Sequence, residues 1–457
     1  MIDTPVSIDA EQALLGALLY RNSEIEEVPD LKAEHFSDPV HSRIFEEIAK
    51  AVAANRRADP ITLAPHITDV GEIGTLSIAQ YLGRLLAAAP TAYAKNYAHT
   101  VIDMARRRAL ILLAEDIQRD AQLSSDIPVT EQIERAETAL YSMAERGTES
   151  RLYDGASSVA AAVEHARAAF RRGAGLAGLS TGLRDLDSRL GGLAPSALIV
   201  LAGRPAMGKS ACAINIAYHN AAAGIPVGIF SLEMAASELA MRVLAERTGT
   251  PAHRWRSGRT IGTNELGLLA DHAAVVSSWP VWIDESGGLS IAQLTLRARR
   301  MKRKHAIKLL VIDYLQLMQG TNRRNRVEDV SEITVGLKAL AKELEIPVLA
   351  LSQLSRGPEG RENKRPQLAD LRESGSIEQD ADQVLFVFRE DYYASRDEPK
   401  DGDYAAITDW KARMAKVQGI AELIIAKNRH GPTDTVKVAF NGALTRFSDL
   451  AAERDNS

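Results

Sequence analysis

Apolar residues recur every three to four positions along the first third of the chain, whereas further on they gather into short unbroken runs separated by longer mixed stretches. The first pattern is that of helices buried along one face. The second is that of strands buried on both faces and alternating with helices. Leu14, Leu15, Leu18 and Leu19 fall at helical spacing behind Asp9, which can cap the start. Similar stripes predict helices at residues 40–53, 78–88, 92–114 and 129–146, the last with Ile133, Ala136, Leu140 and Met143 on one face. No strand-like run interrupts residues 1–150, which are expected to form an all-helical domain. With no cluster of chemically active side chains in it, assembly or partner binding is its expected role.

Residues 151–178 shift to small residues and glycine, with Gly173, Gly175 and Gly178 near the end, and read as a linker carrying one helix at 158–171. The apolar stripe of that helix, Val159, Val163, Ala166 and Phe170, has little to bury against in its own chain, so docking on a neighbouring subunit would satisfy it. From residue 179 to 457 the alternation predicts an α/β domain with a central, mostly parallel sheet. Strands are expected at 197–202, 227–231, 281–284, 308–313, 348–352, 383–388, 421–426 and 436–440.

In such sheets active residues gather at the carboxyl ends of the strands. The run L-I-V-L-A breaks into Gly203, Arg204, Pro205, Ala206, Met207, Gly208, Lys209 and Ser210, the spacing of a phosphate-binding P-loop between a strand and a helix. Glycine lets successive backbone N–H groups curl inward, and the following helix adds the positive end of its dipole. Lys209 is placed to reach the outer phosphates of ATP and the Ser210 hydroxyl to hold Mg2+. The strand at 227–231 leads to Glu233, a carboxylate placed to activate water, although alone such a residue is more often a surface group. L-L-V-I-D closes on Asp313, the form expected of a Mg2+-holding acid. Gln353 follows another strand; position alone leaves it open between a phosphate sensor and an ordinary polar strand end. Lys427 and Arg429 lie near the end of a late strand, where residues two apart share a side.

Composition adds constraints rather than identity. Charged residues at 25% and apolar ones at 46% are ordinary globular values, and 457 residues call for more than one domain. A net charge of -5 means that any nucleic-acid contact must come from particular loops. Two loops qualify, one with Arg323, Arg324 and Arg326, the other running from Arg356 through Arg361, Lys364 and Arg365 to D-L-R-E-S-G. Arg106, Arg107 and Arg108 are expected to form a solvated helix face instead. At 5% aromatic residues, with none interleaved in those loops, phosphate tracking is favoured over base stacking. The single cysteine, Cys212, is expected to be buried. No leader-like start and no membrane-length apolar run are present, so a cytoplasmic protein is expected.

Taken in order, the P-loop, S-L-E-M, L-L-V-I-D-Y-L-Q-L-M, S-Q-L-S-R, D-L-R-E-S-G-S-I-E-Q-D-A-D and A-K-N-R-H-G make the chain resemble the DnaB family of bacterial replicative DNA helicases. The openings A-E-Q-A-L-L-G-A-L-L and H-S-R-I-F-E-E-I resemble that family's helical N-terminal domain, so the resemblance covers nearly the whole chain. It implies a ring-shaped homohexamer with a RecA-like motor that moves 5' to 3' on single-stranded DNA and unwinds forked DNA with ATP and Mg2+. It further implies that Glu233 is the catalytic base and that Gln353 senses the γ-phosphate. Lys427 and Arg429 would act on a neighbour's nucleotide, and Arg372, Glu373 and Gly375 would lie at the DNA backbone. A primase and a helicase loader or initiator are the implied partners, at the nucleoid. Two other readings share the P-loop: a RecA-like ATPase of recombination, and a nucleotide-dependent assembly protein that moves nothing. The polar stretch from Asp397 to Gln418, between two core strands, has no assigned role.

Overall fold

Polar caps set where the N-terminal helices begin. Asp38 accepts a hydrogen bond from Val40 N (2.7 Å) ahead of Pro39, starting the helix Pro39–Ala53, and Ser77 and Gln80 form a capping box at the start of Ile78–Ala87. The computed structural model describes residues 4–67, 75–89, 94–123, 127–145, 154–172, 176–257, 262–320, 326–371, 375–399 and 404–450. Two compact units divide the chain, Met1–Gly155 and Ala156–Ser457.

In the first unit, Leu14, Leu15 and Leu18 of the helix Ile8–Tyr20 are fully buried against Ile44, Ile48 and Leu82. One polar cluster lies inside this core: His41 bridges the Glu11 carboxylate and the Tyr81 hydroxyl, each at 2.7 Å, while the Ser37 N–H and hydroxyl also donate to Glu11 at 2.6 Å. Burial by itself would raise the Glu11 pKa, but these hydrogen bonds and the attraction of His41 outweigh it and hold the carboxyl below its usual value. The predicted helix at 92–114 extends further, as Ala94–Leu123. Its three arginines are not all solvated: Arg107 pairs with Asp103, but Arg108 donates to the carbonyls of Pro5 (3.0 Å) and His35 (2.6 Å).

The second unit opens on the helix Gly155–Arg172, on which Val159 and Val163 are exposed. It then builds a nine-stranded sheet among the described residues. The strands are β1 (Leu198–Gly203), β2 (Val227–Ser231), β3 (Val281–Asp284), β4 (Leu309–Asp313), β5 (Val348–Gln353), β6 (Gln383–Phe388), β7 (Ile420–Asn428), β8 (Asp434–Asn441) and β9 (Arg446–Asp449). Their order is β3-β2-β4-β5-β1-β6-β7-β8-β9. Pairing is parallel from β3 to β6 and antiparallel from β6 to β9. Successive residues of β1 face opposite cores: Ile199 and Leu201 pack with the helix Lys209–Ala222, Leu198, Val200 and Ala202 with the helix Arg326–Leu344. That double burial is why these strands read as unbroken apolar runs.

Each predicted strand is present, with shifted ends at several. β9 has no counterpart among the predicted strands, because R-F-S-D carries one apolar residue; Phe447 holds it by packing on Phe440, ring centroids 4.6 Å apart. The polar stretch after Asp397 contains the helix Tyr404–Val417, fixed by the Trp410 indole N–H donating to the Ala394 carbonyl (2.6 Å) and by Arg413 beside Glu390. Among the described residues, no helix is long and apolar enough to cross a membrane.

Candidate nucleotide-binding site

Parallel strands deliver their last residues to one edge, and most of the residues singled out from the sequence meet there. β1 ends at Gly203, which is in register with Gln353 at the end of β5, and Ser231 of β2 is in register with Asp313 of β4. The chain then turns through Arg204–Gly208 into the helix Lys209–Ala222, with Ala206 (φ 68°) and Gly208 (φ 98°) in the left-handed region. Met207 is buried beneath the loop and anchors it. Cys212 is buried in the same helix, where burial pushes its thiol up to about 12, so it is chemically inert at neutral pH.

A side chain at Gly208 would be strained. A Cβ there would lie 3.0 Å from Phe447 Cζ and 3.3 Å from Phe440 Cε2, at a φ that disfavours L residues. Gly208→Ala is expected to destabilise the second unit by about 1–3 kcal/mol and to weaken binding of a non-hydrolysable ATP analogue. Chemical denaturation and calorimetric titration check both, and unchanged values in both would remove the loop geometry from the binding site.

The loop borders a cleft of about 540 Å³, within the size range of small-ligand sites, lined also by Glu233, Tyr314, Gln353, Arg389 and Phe440. At its floor the Lys209 ammonium lies 3.5 Å from Asp313 Oδ1 and 4.2 Å from the centre of the Tyr314 ring. Burial lowers the Lys209 pKa, and the negative charges of Asp313 and Glu233 only partly offset it. A buried ammonium left short of counter-charge is a site that phosphate oxygens complete. Burial, then the same two carboxylates, raises the pKa of Tyr314, which follows Asp313 through a cis peptide.

Asp313 is 3% exposed, and its second oxygen, Oδ2, is buried without a hydrogen-bond partner. An orphaned carboxylate oxygen beneath a cleft lined by Lys209 and Ser210 fits the oxygen-ligand demand of a divalent cation. Gln353 is held at the cleft by Gln316, whose side-chain amide receives the Gln353 N–H (3.2 Å) and donates to the Ser352 hydroxyl (2.9 Å).

Lys427 and Arg429 are not in this cleft. β7 runs antiparallel to β6, so Asn428 is in register with Gln383, the first residue of β6, at the edge opposite the P-loop. At ~3.3 Å per residue the two edges are roughly 15–20 Å apart. The separation arises from strand direction, since β7 is only two strands away from β1. The two cations do not share one side of a strand either, because β7 ends before Arg429. Instead both are held by one turn: Lys427 donates to the Glu378 and Gln379 carbonyls, and the Arg429 guanidinium lies 3.4 Å from Asp382 Oδ1 while remaining 64% exposed.

The second basic loop departs from its sequence reading. Arg361 pairs with the buried Asp370, and Arg365 forms a two-pronged bond to Glu422 (2.7 Å and 2.7 Å). Lys364 lies 4.8 Å from the centre of the Tyr393 ring. Three of its cations thus have protein partners, and Arg365 pins the loop to the sheet. Arg323, Arg324, Arg372 and Glu373 lie outside the described residues, and Gly375 is the first residue of the short helix Gly375–Asp380.

Two residues of the cleft, and one that supports it, escape the sequence reading. Arg389 follows β6, donates to the Ala206 carbonyl (3.3 Å) and lies over the Phe440 ring at 4.3 Å. The strand-end rule that finds Glu233 and Asp313 also points to it. Phe440 and Gln316 carry no such signal, being one apolar strand residue and one polar residue in the 3-10 turn Leu315–Leu317.

Residues 3–103 match the family described as DnaB-like helicase N terminal domain, and residues 178–449 that described as DnaB-like helicase C terminal domain. The chain is 40% identical over 470 residues to the replicative DNA helicase DnaB of Rickettsia conorii, covering 99% of this chain and 94% of the relative. It is 34% identical over 458 residues to that of Geobacillus stearothermophilus, covering 99% and 96%. A solved DnaB-like replicative helicase, described with its interactions with primase, is similar at a TM-score of 0.71 and 29% identity, over 97% of this chain and 100% of the other. A second solved structure, of an isolated ATPase domain, is similar at a TM-score of 0.57 and 32% identity, over 65% and 100%.

Proposed function

The chain belongs to the DnaB family of replicative DNA helicases, and from that premise we propose how its residues drive ATP-dependent unwinding at the fork. The observation that carries the reading is the meeting of Lys209, Glu233 and Gln353 around one cleft at one edge of the sheet, with Asp313 beside Lys209. ATP places its phosphates against the P-loop amides and Lys209, in the cleft that Arg389 and Phe440 also line. Ser210 and Asp313 would hold Mg2+, which would supply positive charge to offset that of the outer phosphates. Glu233 orients and deprotonates the attacking water, and Gln353 hydrogen-bonds the γ-phosphate and responds to its loss.

Because Arg429 lies at the opposite edge from its own P-loop, it serves the cleft of the next subunit in a homohexameric ring, with Lys427 beside it. The helical N-terminal region assembles the ring and meets primase, a reading supported by the similarity to a solved helicase described with its interactions with primase. A loader or initiator places the ring on DNA in the cytoplasm. The ring moves 5' to 3' on single-stranded DNA, with Arg372, Glu373 and Gly375 at the backbone. The competing readings, a recombination ATPase or a non-moving assembly protein, gain no support from the two-domain family match.

DNA contact through Arg372 makes a specific demand. Arg372→Ala is expected to weaken single-strand affinity about equally for all sequences and to reduce the slope of log affinity against log salt by about one. Fluorescence anisotropy over a salt series checks this, and an unchanged slope would move the contact to another residue.

A further inference from the structure

Arg204, the first residue of the P-loop after β1, grips the segment that follows Gln353. Its guanidinium donates to the Leu354 carbonyl (3.0 Å) and, through Nε (3.0 Å) and Nη2, to one oxygen of Glu359. The Arg204 side chain is only 13% exposed. The segment it grips closes on itself: Leu354 and Leu371 form an antiparallel bridge, and Ser355 N–H donates to the Asp370 carbonyl (2.9 Å). Asp370 also receives Arg361 and the Gln367 N–H (2.7 Å), while Arg365 ties the segment to Glu422 on β7. A loop pinned at so many points is held as one body.

One end of that body is Gln353, in the nucleotide cleft, and the other, Leu371, directly precedes Arg372. We propose that the Arg204–Glu359 pair is a second mechanical link between the P-loop and the DNA-facing end of this loop. Glu359 is thereby a positioning residue for DNA-stimulated hydrolysis. The inference rests on the helicase reading above. The main chain through Gln353 and the Arg365–Glu422 bond fix the body to the sheet. A charge-assisted contact from the P-loop at Leu354 and at Glu359 fixes its orientation as well. An ion pair with one half-exposed partner contributes little to folding, so the same geometry leaves the fold tolerant of its loss.

The test uses the full-length assembled protein and measures ATP hydrolysis with and without a long oligothymidine. In Glu359→Ala and Glu359→Gln the stimulation by DNA is expected to fall about 5- to 30-fold. The DNA-free rate, the oligothymidine Kd and the Tm should stay as in the unmodified protein, and Glu359→Asp should recover most of the stimulation. Full stimulation in Glu359→Ala would overturn the proposal, as would a parallel fall in the DNA-free rate and Tm, which marks a merely structural role. Absence of any DNA stimulation in the unmodified protein would overturn the helicase reading, and this inference with it.

Discussion

A ring made only of Arg429→Ala subunits is expected to hydrolyse ATP about three to five powers of ten more slowly than the unmodified ring, the contribution of an arginine that neutralises charge on the transferred phosphoryl group. In the proposed function the cleft supplies a cradle, a metal-holding acid and a base, and Lys209 is its buried cation. Arg429 stands at the far edge of the sheet, two-thirds exposed, its guanidinium 3.4 Å from Asp382. Asp382 keeps the Lys338 ammonium and the Leu198 N–H (2.8 Å) when Arg429 is removed, so folding should survive. Mixing Arg429→Ala with Glu233→Gln subunits should restore part of the activity, because an intact cleft then meets a working arginine from its neighbour. Steady-state hydrolysis on mixed rings, after subunit exchange is verified by native mass, checks this. No recovery would mean that the arginine acts within its own subunit or serves folding alone.

Glu233→Gln on its own is expected to lose about two to four powers of ten in turnover while still binding ATP. The side chain is exposed at the cleft and its charge is felt by both Lys209 and Tyr314. Amide for carboxylate keeps size and polarity but cannot accept the proton of the attacking water. Single-turnover hydrolysis and equilibrium binding of labelled ATP separate the two steps. Loss of binding together with turnover would make Glu233 a structural residue.

The parts of the site legible in the sequence are those fixed by strand ends. A strand buried on both faces must be written in apolar residues, so a polar residue that closes the run, such as Asp313 or Gln353, stands at the edge of the sheet. The P-loop is legible because its backbone geometry demands glycine at Gly208. Partnering across the chain is not legible. Arg365 reads as a free cation in a basic loop, but its partner Glu422 is 57 positions away on β7. The distance of Arg429 from its own cleft depends on β7 being antiparallel, which apolar patterning leaves open. β9 is hidden because one phenylalanine in four residues gives no alternation to read.

In the proposed function, one cleft shared between neighbouring subunits drives strand separation. Native mass and fork unwinding measured on the same sample test this most directly. A hexamer that separates a fork carrying a 5' single-stranded tail, only when ATP and Mg2+ are present, is the predicted result. A protein of another stoichiometry that hydrolyses ATP but leaves the fork intact would contradict it.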